Sequence, residues 1–339
     1  MLTRRRLLGA GAGLGLAACA GPRRRPDSLL IYTDLVLGAL GGHRGDWLLD
    51  AARQAGHQIT LLQLSMSDLE ARLREEQSAP QYDILLGFSP VLHEQQRAAG
   101  LLHPFTPSWA AALGSHDTTW PLTTEPVFMA YSLAAFPQGR TAPPDWPQLV
   151  SRPELTGRYE APNGLEIVPE LVIAALLYRY RQETGRHGVS DEGWQLLQQY
   201  YQNAKVVPAF GDFGQLKLGS LYLVLTTFTW WRTAAPQAEV ETAAMIPEAG
   251  VAMLDRMISI RRSSPRIEAA VRFADWFGSP PVQSEYARRF HTIPVHPDAT
   301  ADPAIAAAAR PFRAQPVDWS YVARHRSAWR QAISQYLPR

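Results

Sequence analysis

Hydrophobic and polar positions follow two different periods along the chain beyond its first thirty residues. Short apolar runs bounded by polar residues predict buried strands at 28–33, 58–64 and 82–88. Between these runs, apolar residues recur every three or four positions, which predicts amphipathic helices at 45–56 and 91–100. Strands that alternate with helices are typical of an α/β domain built on a parallel sheet.

A further helix between the second and third strands has a recognisable start. Ser67 and Glu70 stand at the spacing of a capping box, in which each side chain satisfies a backbone N–H group of the first turn. The spacing therefore predicts that this helix begins at Ser67.

The same alternation resumes after residue 125 and predicts a second α/β unit. A strand is expected at 126–133, followed by a proline-broken connector at 142–157. Elements near the end of the sequence could pack with the first α/β unit rather than with the second. The remaining predicted elements are strands at 205–210, 221–228, 242–247 and 251–260, a short helix before 221, and helices at 165–185, 191–204, 265–279, 280–290, 302–312 and 318–337.

The N-terminal residues are typical of an export signal. Three arginines, Arg4 to Arg6, precede an apolar run over 7–18 that is shorter than the roughly 20 residues a membrane-spanning helix needs. We therefore expect residues 1–18 to be a signal peptide that takes no part in the fold.

Cys19, the single cysteine of the chain, follows this run directly. Leu16-Ala17-Ala18-Cys19 resembles a bacterial lipobox, in which the cysteine is lipidated and becomes the first mature residue. The resemblance implies a lipoprotein held to the cell envelope by Cys19, with 19–27 as a flexible tether. The alternative is a plain cleavable signal with an incidental cysteine.

Charge and motifs exclude several classes of protein. The formal charge of +2 becomes −1 without residues 1–18, because these carry three arginines and no acid. That balance argues against a nucleic-acid binder. Gly-x-Ser-x-Gly, a Walker loop and His-Glu-x-x-His do not occur, and the nine histidines are scattered. We expect no enzymatic activity, no cofactor and no metal site.

The order of several weak motifs resembles a known family. These motifs are SLLIYTD, YDILLGFSPVLHEQQRAAGLLHPF, VFMAYS, PPDWPQLVSRPELTGRYEAPNG and IEAAVRFADWFGSPPVQSEYARRFHTIPVHP. Together they resemble the periplasmic solute-binding proteins of ABC importers, closest to the thiamine-binding and ferric-iron-binding branch. Two further segments are similar to the thiamine-binding side of that branch, namely LVLTTFTWW and VDWSYVARHRSAWRQAISQYL.

The resemblance implies a type II-like periplasmic-binding-protein fold, α/β in class, with two doubly wound lobes joined by a hinge. It places 28–124 and 249–339 in lobe 1 and 125–248 in lobe 2, with chain crossings near 123–126 and 246–250. It further implies a monomer that closes on a small molecule and passes it to an ABC permease in the membrane.

The resemblance implies thiamine or a thiamine-like cationic heterocycle as the ligand. Two alternatives stay open. One is a different solute, such as iron, a polyamine or an organic phosphate. The other is a ligand-binding lipoprotein that serves a sensor or envelope assembly.

Most candidate ligand-binding residues follow the carboxyl ends of the predicted strands, where open α/β sheets bind ligands. Glu125 lies instead at the predicted crossing between the lobes, and Asn163 and Glu166 lie in a turn that leads into a helix. A flat cation needs aromatic faces, carboxylates and a few hydrogen-bonding groups. One ring of the adjacent Trp230 and Trp231 would pack in the core, and Glu166 could merely complement a helix dipole. The pair Tyr200–Tyr201 is interpreted as packing rather than as iron ligands. The candidate set is Asp34, Phe88, Ser89, Glu125, Asn163, Glu166, Asp212, Phe213, Thr227, Thr229 and Trp230.

Overall fold

The computed structural model describes residues 27–35, 41–76, 79–114 and 116–337 of the 339-residue chain. Cys19 and the expected signal peptide lie outside the described residues. Within the described ranges, no helix combines the length and the apolar character that crossing a membrane would require.

A strand forms within every predicted apolar run, and five further strands were not predicted from the sequence. The fourteen strands of the described residues are β1 (Leu29–Thr33), β2 (Ile59–Gln63), β3 (Ile84–Gly87), β4 (Leu102–His103), β5 (Thr119–Thr124), β6 (Pro126–Ser132), β7 (Glu160–Pro162), β8 (Arg181–Arg186), β9 (Lys205–Val207), β10 (Leu223–Thr227), β11 (Thr242–Met245), β12 (Ala252–Met253), β13 (Arg256–Arg261) and β14 (Ile293–Pro294).

The helices begin and end within a few residues of most predicted bounds. The twelve helices of the same ranges are α1 (Gly41–Gln54), α2 (Met66–Glu75), α3 (Pro90–Ala98), α4 (Trp146–Ser151), α5 (Ile167–Arg179), α6 (Asp191–Asn203), α7 (Phe213–Lys217), α8 (Phe228–Gln237), α9 (Ile267–Gly278), α10 (Pro280–Phe290), α11 (Pro303–Ala309) and α12 (Trp319–Ile333).

Lobe 1 is built on a mixed sheet with the strand order β14-β5-β13-β3-β1-β2. Strand β1 is parallel to both β2 and β3, as its sequence pattern predicts, but β13 runs antiparallel between β3 and β5. One face of the sheet buries Ile31 and Ile258 in the same core as Phe273 of α9, and the other buries Tyr32 in the same core as Leu69 of α2. Burial of these apolar faces holds the helices on the sheet.

Lobe 2 differs from the doubly wound expectation in its strand directions. Its main sheet has β6 at the centre, and β10, β11 and β12 all pair with it antiparallel. The parallel pair is a separate one, between β7 and β9. Helix α5 is apolar on almost every side and is buried from Val168 to Leu177, so it forms the centre of this core.

Three local predictions need correction. Helix α2 begins at Met66 with Ser65 as its cap, so the Ser67–Glu70 capping box does not form. The helix expected over 165–185 ends at Arg179, because β8 follows and the chain reverses at Gly188, whose φ is +76°. The strand expected over 251–260 is split by a break before β13.

The two sheets exchange chain at two neighbouring points. Strand β5 passes into β6 at Glu125, and β12 passes into β13 at Leu254 and Asp255. The N–H of Leu254 donates to the carbonyl of Glu125 over 2.8 Å. The connection between the lobes is therefore a pair of adjacent antiparallel strands, which can act as a hinge.

The two C-terminal helices pack differently from the domain assignment made on the sequence. Ile305 of α11 and Val322 and Trp329 of α12 belong to the lobe 2 cores, although 249–339 was assigned to lobe 1. The apolar face of α12 packs against α5, because α5 has few polar residues that could face water. Helix α12 also packs against α3, so it lies across both lobes.

Arg326 of α12 is the charged group that joins the lobes most directly. Its side chain is buried and donates to both carboxylate oxygens of Glu170 on α5, each over 2.7 Å. It also contacts Glu70 on α2 and donates to Gln95 on α3 over 3.0 Å. Arg330 adds a hydrogen bond to Glu170 over 2.9 Å. Two carboxylates from opposite lobes thus share one guanidinium.

Candidate functional site

The carboxyl ends of β1 and β3 meet at Asp34. Its carboxylate accepts from the N–H of Phe88 over 2.7 Å and forms an ion pair with Arg256 at the start of β13. Asp34 is only 5% exposed. A Cβ atom at Gly87 would lie 2.2 Å from the Asp34 Oδ1 atom, so only glycine fits there. Asp34 therefore organises this turn while Arg256 compensates its charge.

Phe88 and Ser89 continue from this turn into α3. Phe88 has a φ of +53° and its ring is fully buried among Tyr32 and Leu92, so it offers no face to a ligand, contrary to the sequence expectation. Ser89 is the N-cap of α3, and its buried hydroxyl has no hydrogen-bond partner within the described residues. That hydroxyl is free to bind.

Glu125 sits at the first chain crossing and reaches into lobe 2. Its Oε1 atom accepts from the N–H of Thr229, in the first turn of α8, over 2.7 Å. Thr227 caps the same helix by accepting from the N–H of Trp230 over 3.3 Å. Because α8 begins at Phe228, Trp230 and Trp231 lie on a helix and not on the strand expected from the sequence.

The two tryptophans of α8 have different surroundings. Trp230 is half-buried and its indole N–H donates to the carbonyl of Gly211 over 2.9 Å. Trp231 donates to Thr242 over 2.8 Å and packs edge-on against Phe128. Both rings have contacts within the protein and both residues lie on a helix. The alternation of a strand therefore does not decide which of the two rings would contact a ligand.

Four other candidates serve helix ends or the core. Phe213 is 2% exposed and packs in lobe 2. Asp212 is exposed and caps α7 by accepting from Gln215. Glu166, at the N-cap of α5, accepts from the Ser67 hydroxyl of lobe 1 over 3.1 Å. Asn163 is exposed, and its backbone N–H donates to Val207.

Sequence reasoning missed the groups that surround Asp34 and Glu125. Arg256 was hidden within a predicted strand, although an Asp-Arg pair inside an apolar run could have marked it. Asp255, beside it, is half-buried and accepts from the Thr124 hydroxyl over 2.7 Å, and desolvation raises the pKa of this carboxyl. We call Asp34, Glu125, Thr229 and Arg256 the hinge site.

His93 supports the turn beneath the hinge site. Its ring is 1% exposed and bonds to the Ser259 hydroxyl and the Gly87 carbonyl, each over 2.9 Å. Burial lowers its pKa to about 4. The imidazole is therefore neutral at pH 7.

We expect acid to destabilise the protein through His93. Because its folded-state pKa is depressed, its contribution is complete above the unfolded-state pKa near 6.5 and is lost as the pH falls toward 4, by about 3 kcal/mol. Urea unfolding between pH 7.5 and 4 measures this loss, which should shrink in H93Q but not in H43Q, a matched change at an exposed histidine. Equal pH slopes in H93Q and the parent protein would contradict it.

Metal-ligating side chains do not gather in the described part of the chain. No group of three or more histidine, cysteine, aspartate or glutamate residues there could hold a metal ion. The pair Tyr200–Tyr201 is buried in α6, where Tyr200 stacks on Tyr159 and donates to the Glu160 carbonyl over 3.1 Å. This pair packs lobe 2, as interpreted from the sequence.

Comparison with known proteins identifies relatives of both sequence and fold. Residues 50–312 match a family described as bacterial extracellular solute-binding protein. The chain is 28% identical over 313 residues to the probable ABC transporter periplasmic-binding protein y4fP of Sinorhizobium fredii, covering 91% of this chain and 86% of that one.

Solved structures share the fold at low identity. Apo ferric ion-binding protein A of Pasteurella haemolytica has a TM-score of 0.74 at 17% identity, covering 91% of this chain and 98% of that one. Iron-bound HitA of Pseudomonas aeruginosa has a TM-score of 0.72 at 16% identity, covering 92% and 99%. These likenesses confirm the two-lobed α/β fold predicted from the sequence.

Proposed function

The chain belongs to the bacterial extracellular solute-binding protein family, and we propose from this premise that it captures a small solute between its lobes for an ABC importer. The family is non-enzymatic. The description of the relative from Sinorhizobium fredii as an ABC transporter periplasmic-binding protein supports the importer and a membrane permease as the partner.

The observation that carries this proposal is the meeting of both lobes at the hinge site. Asp34 and Arg256 come from lobe 1, whereas Thr229 lies at the start of α8 in lobe 2. Glu125 lies on the connection itself. Polar groups from two lobes that meet at a hinge are the arrangement with which closure can trap a solute.

Location follows from the family and from the N-terminal pattern. An extracytoplasmic position accords with the family. We propose in addition that the mature protein is a monomer tethered to the envelope by a lipid on Cys19, with 19–27 as the tether.

The first ligand to test is thiamine or a thiamine-like cationic heterocycle. Glu125 supports it, because its Oε2 atom accepts no hydrogen bond from a described residue and lies at the hinge site. Trp230, half-buried in the same helical turn as Thr229, supplies an aromatic ring for cation–π contact. Iron, a polyamine and an organic phosphate remain the alternative solutes. A ligand-binding lipoprotein that serves a sensor or envelope assembly remains the alternative role.

A thermal-shift screen of the mature protein tests the capture of a solute. A ligand that binds only the folded state at a hundredfold excess over its Kd adds about 2.7 kcal/mol of stability, which raises Tm by several degrees. The panel contains thiamine, its phosphates, ferric citrate, spermidine, glycerol 3-phosphate and maltose. A shift with at least one solute is expected, and silence across the panel would contradict capture.

The variant E125Q tests the place of capture. Its amide oxygen still accepts from Thr229, but the charge is gone, so affinity for a cationic solute should fall at least tenfold by titration calorimetry. E241Q, at an exposed glutamate, should bind like the parent protein. Equal affinities of E125Q and E241Q would place the solute away from the hinge site.

A further inference from the structure

Five buried side-chain atoms of lobe 1 have no hydrogen-bond partner among the described residues, and they belong to Arg44, Ser89, Gln283, Tyr286 and Thr292. Three of these unpaired atoms concern us, namely the Tyr286 hydroxyl, on a side chain 2% exposed, the Arg44 Nε atom and the Thr292 Oγ1 atom. Buried polar groups in folded proteins are nearly always paired. Such exceptions therefore need an explanation, and a missing ligand provides one.

Two of these groups, the Arg44 guanidinium and the Tyr286 phenol, lie against one ring. The Arg44 guanidinium carbon lies 5.7 Å from the centroid of the Phe290 ring, and the Tyr286 ring lies 5.0 Å from it. Trp47 of α1 packs on both rings, at 5.5 Å from Tyr286 and 5.8 Å from Phe290. Thr292 follows two residues later in the chain. Helices α1 and α10 thus bring a guanidinium and a phenol hydroxyl to the same ring, and the Thr292 hydroxyl follows just beyond the end of α10.

The charges of the hinge site act on the Tyr286 hydroxyl of this cluster. Burial raises the pKa of the Tyr286 phenol, the charges of Arg44 and Arg256 oppose that rise, and those of Asp34 and Glu125 add to it. The Tyr286 hydroxyl therefore lies within the field of every charged member of the hinge site.

The charges of this neighbourhood leave one cation uncompensated. Asp34 is occupied by Arg256 and the Phe88 N–H, and Glu125 accepts from Thr229. Arg44 has no carboxylate within ion-pair distance among the residues that the structure describes. Arg44 also stands in the first turn of α1, which contains no acidic residue and whose N-terminal end favours negative charge.

We propose that Arg44, Tyr286 and Thr292 form a subsite on lobe 1 for an oxyanion of the captured solute, a phosphate or a carboxylate. The guanidinium donates its N–H groups and the two hydroxyls donate their protons, which satisfies all three orphaned atoms. The proposal rests on capture at the hinge site and narrows the solute to one that carries an anionic group. Asp34 keeps its role of orienting Arg256 beside this subsite.

Matched pairs of solutes with and without the anion test the subsite. Titration calorimetry compares thiamine monophosphate with thiamine, glycerol 3-phosphate with glycerol, and inorganic phosphate alone. We expect at least one phosphorylated member to bind tenfold or more tightly than its parent. The preference should disappear in R44Q and fall at least fivefold in Y286F, an isosteric change that removes only the hydroxyl.

The control is R53Q, at an exposed arginine of the same helix that pairs with Asp50. It should keep the full preference, and thermal melts of all variants verify that each is folded. An unchanged preference in folded R44Q and Y286F overturns the subsite, as does binding of neutral or cationic solutes alone. Both results leave capture at the hinge site intact. Absence of binding by every solute overturns capture and the subsite together.

Discussion

Replacement of Arg326 by methionine should lower the free energy of unfolding by about 3 kcal/mol. Removing one partner of a buried ion pair leaves the other charge without compensation, which typically costs about 3–5 kcal/mol. Arg326 is 7% exposed and holds Glu170, itself 6% exposed. Arg330 still reaches Glu170 in the variant, so we expect the lower end of that range.

The same variant should loosen the lobes, because Arg326 is shared by Glu170 of lobe 2 and Glu70 of lobe 1. Urea unfolding measures the stability, and small-angle X-ray scattering should show a larger radius of gyration. The control is R324M, at an exposed arginine two positions away on α12. Losses of equal size in R326M and R324M would show that the shared guanidinium contributes nothing specific.

The variant E160Q should be more stable than the parent protein at alkaline pH. Glu160 is fully buried on β7, and burial raises its pKa to about 8. An unfolded glutamate titrates near 4.3, so the folded state holds a proton that the unfolded state has lost between these values. Stability therefore falls as pH rises through this window, by about 5 kcal/mol in total, and E160Q escapes the loss.

The amide of E160Q can keep the native contacts. The Glu160 Oε1 atom accepts from the N–H groups of Gly211 and Leu225 over 2.7 and 2.6 Å, and a glutamine oxygen can do the same. Denaturant unfolding from pH 5 to 9 compares E160Q with E154Q, an exposed site. If the free energy of unfolding depends on pH in the same way in E160Q and in the parent protein, Glu160 is not a buried, protonated carboxyl.

Glu160 also connects this pH dependence to capture. It holds the backbone of Gly211, whose carbonyl accepts from the indole of Trp230. A charge that develops on Glu160 acts within two hydrogen bonds of the first turn of α8. Solute affinity measured in parallel should report whether that turn moves.

Local patterns predicted the elements well where burial follows the sequence. β1, β2 and β3 came from short apolar runs, and α10 was predicted with the bounds it has. The hairpin that contains β8 was missed because RQETGR has no strand-like alternation and is exposed. The place of β13 between β3 and β5 was also hidden, since it depends on contacts between residues far apart in sequence.

Part of the candidate site followed from strand ends alone. Asp34 and Thr229 followed from the rule that ligands bind beyond the carboxyl ends of strands, whereas Glu125 was a candidate because it is a carboxylate at the predicted crossing between the lobes. Their partners could not be predicted, because Arg256 lies 222 residues from Asp34. Tyr286 resembles an ordinary packing residue of an amphipathic helix. It is distinguished only by its hydroxyl, which has no hydrogen-bond partner among the described residues.

The position of β13 has a consequence for biosynthesis. Residues 256–261 join β3 to β5, so the lobe 1 sheet stays in two pieces until most of the polypeptide has been made. The core of lobe 2 waits still longer, for Trp329 and Ile333. During synthesis, which begins at the N-terminus, neither lobe can therefore complete its core early. Folding that depends on such distant contacts is slow. The topology therefore delays completion of both cores until late segments of the chain have been made.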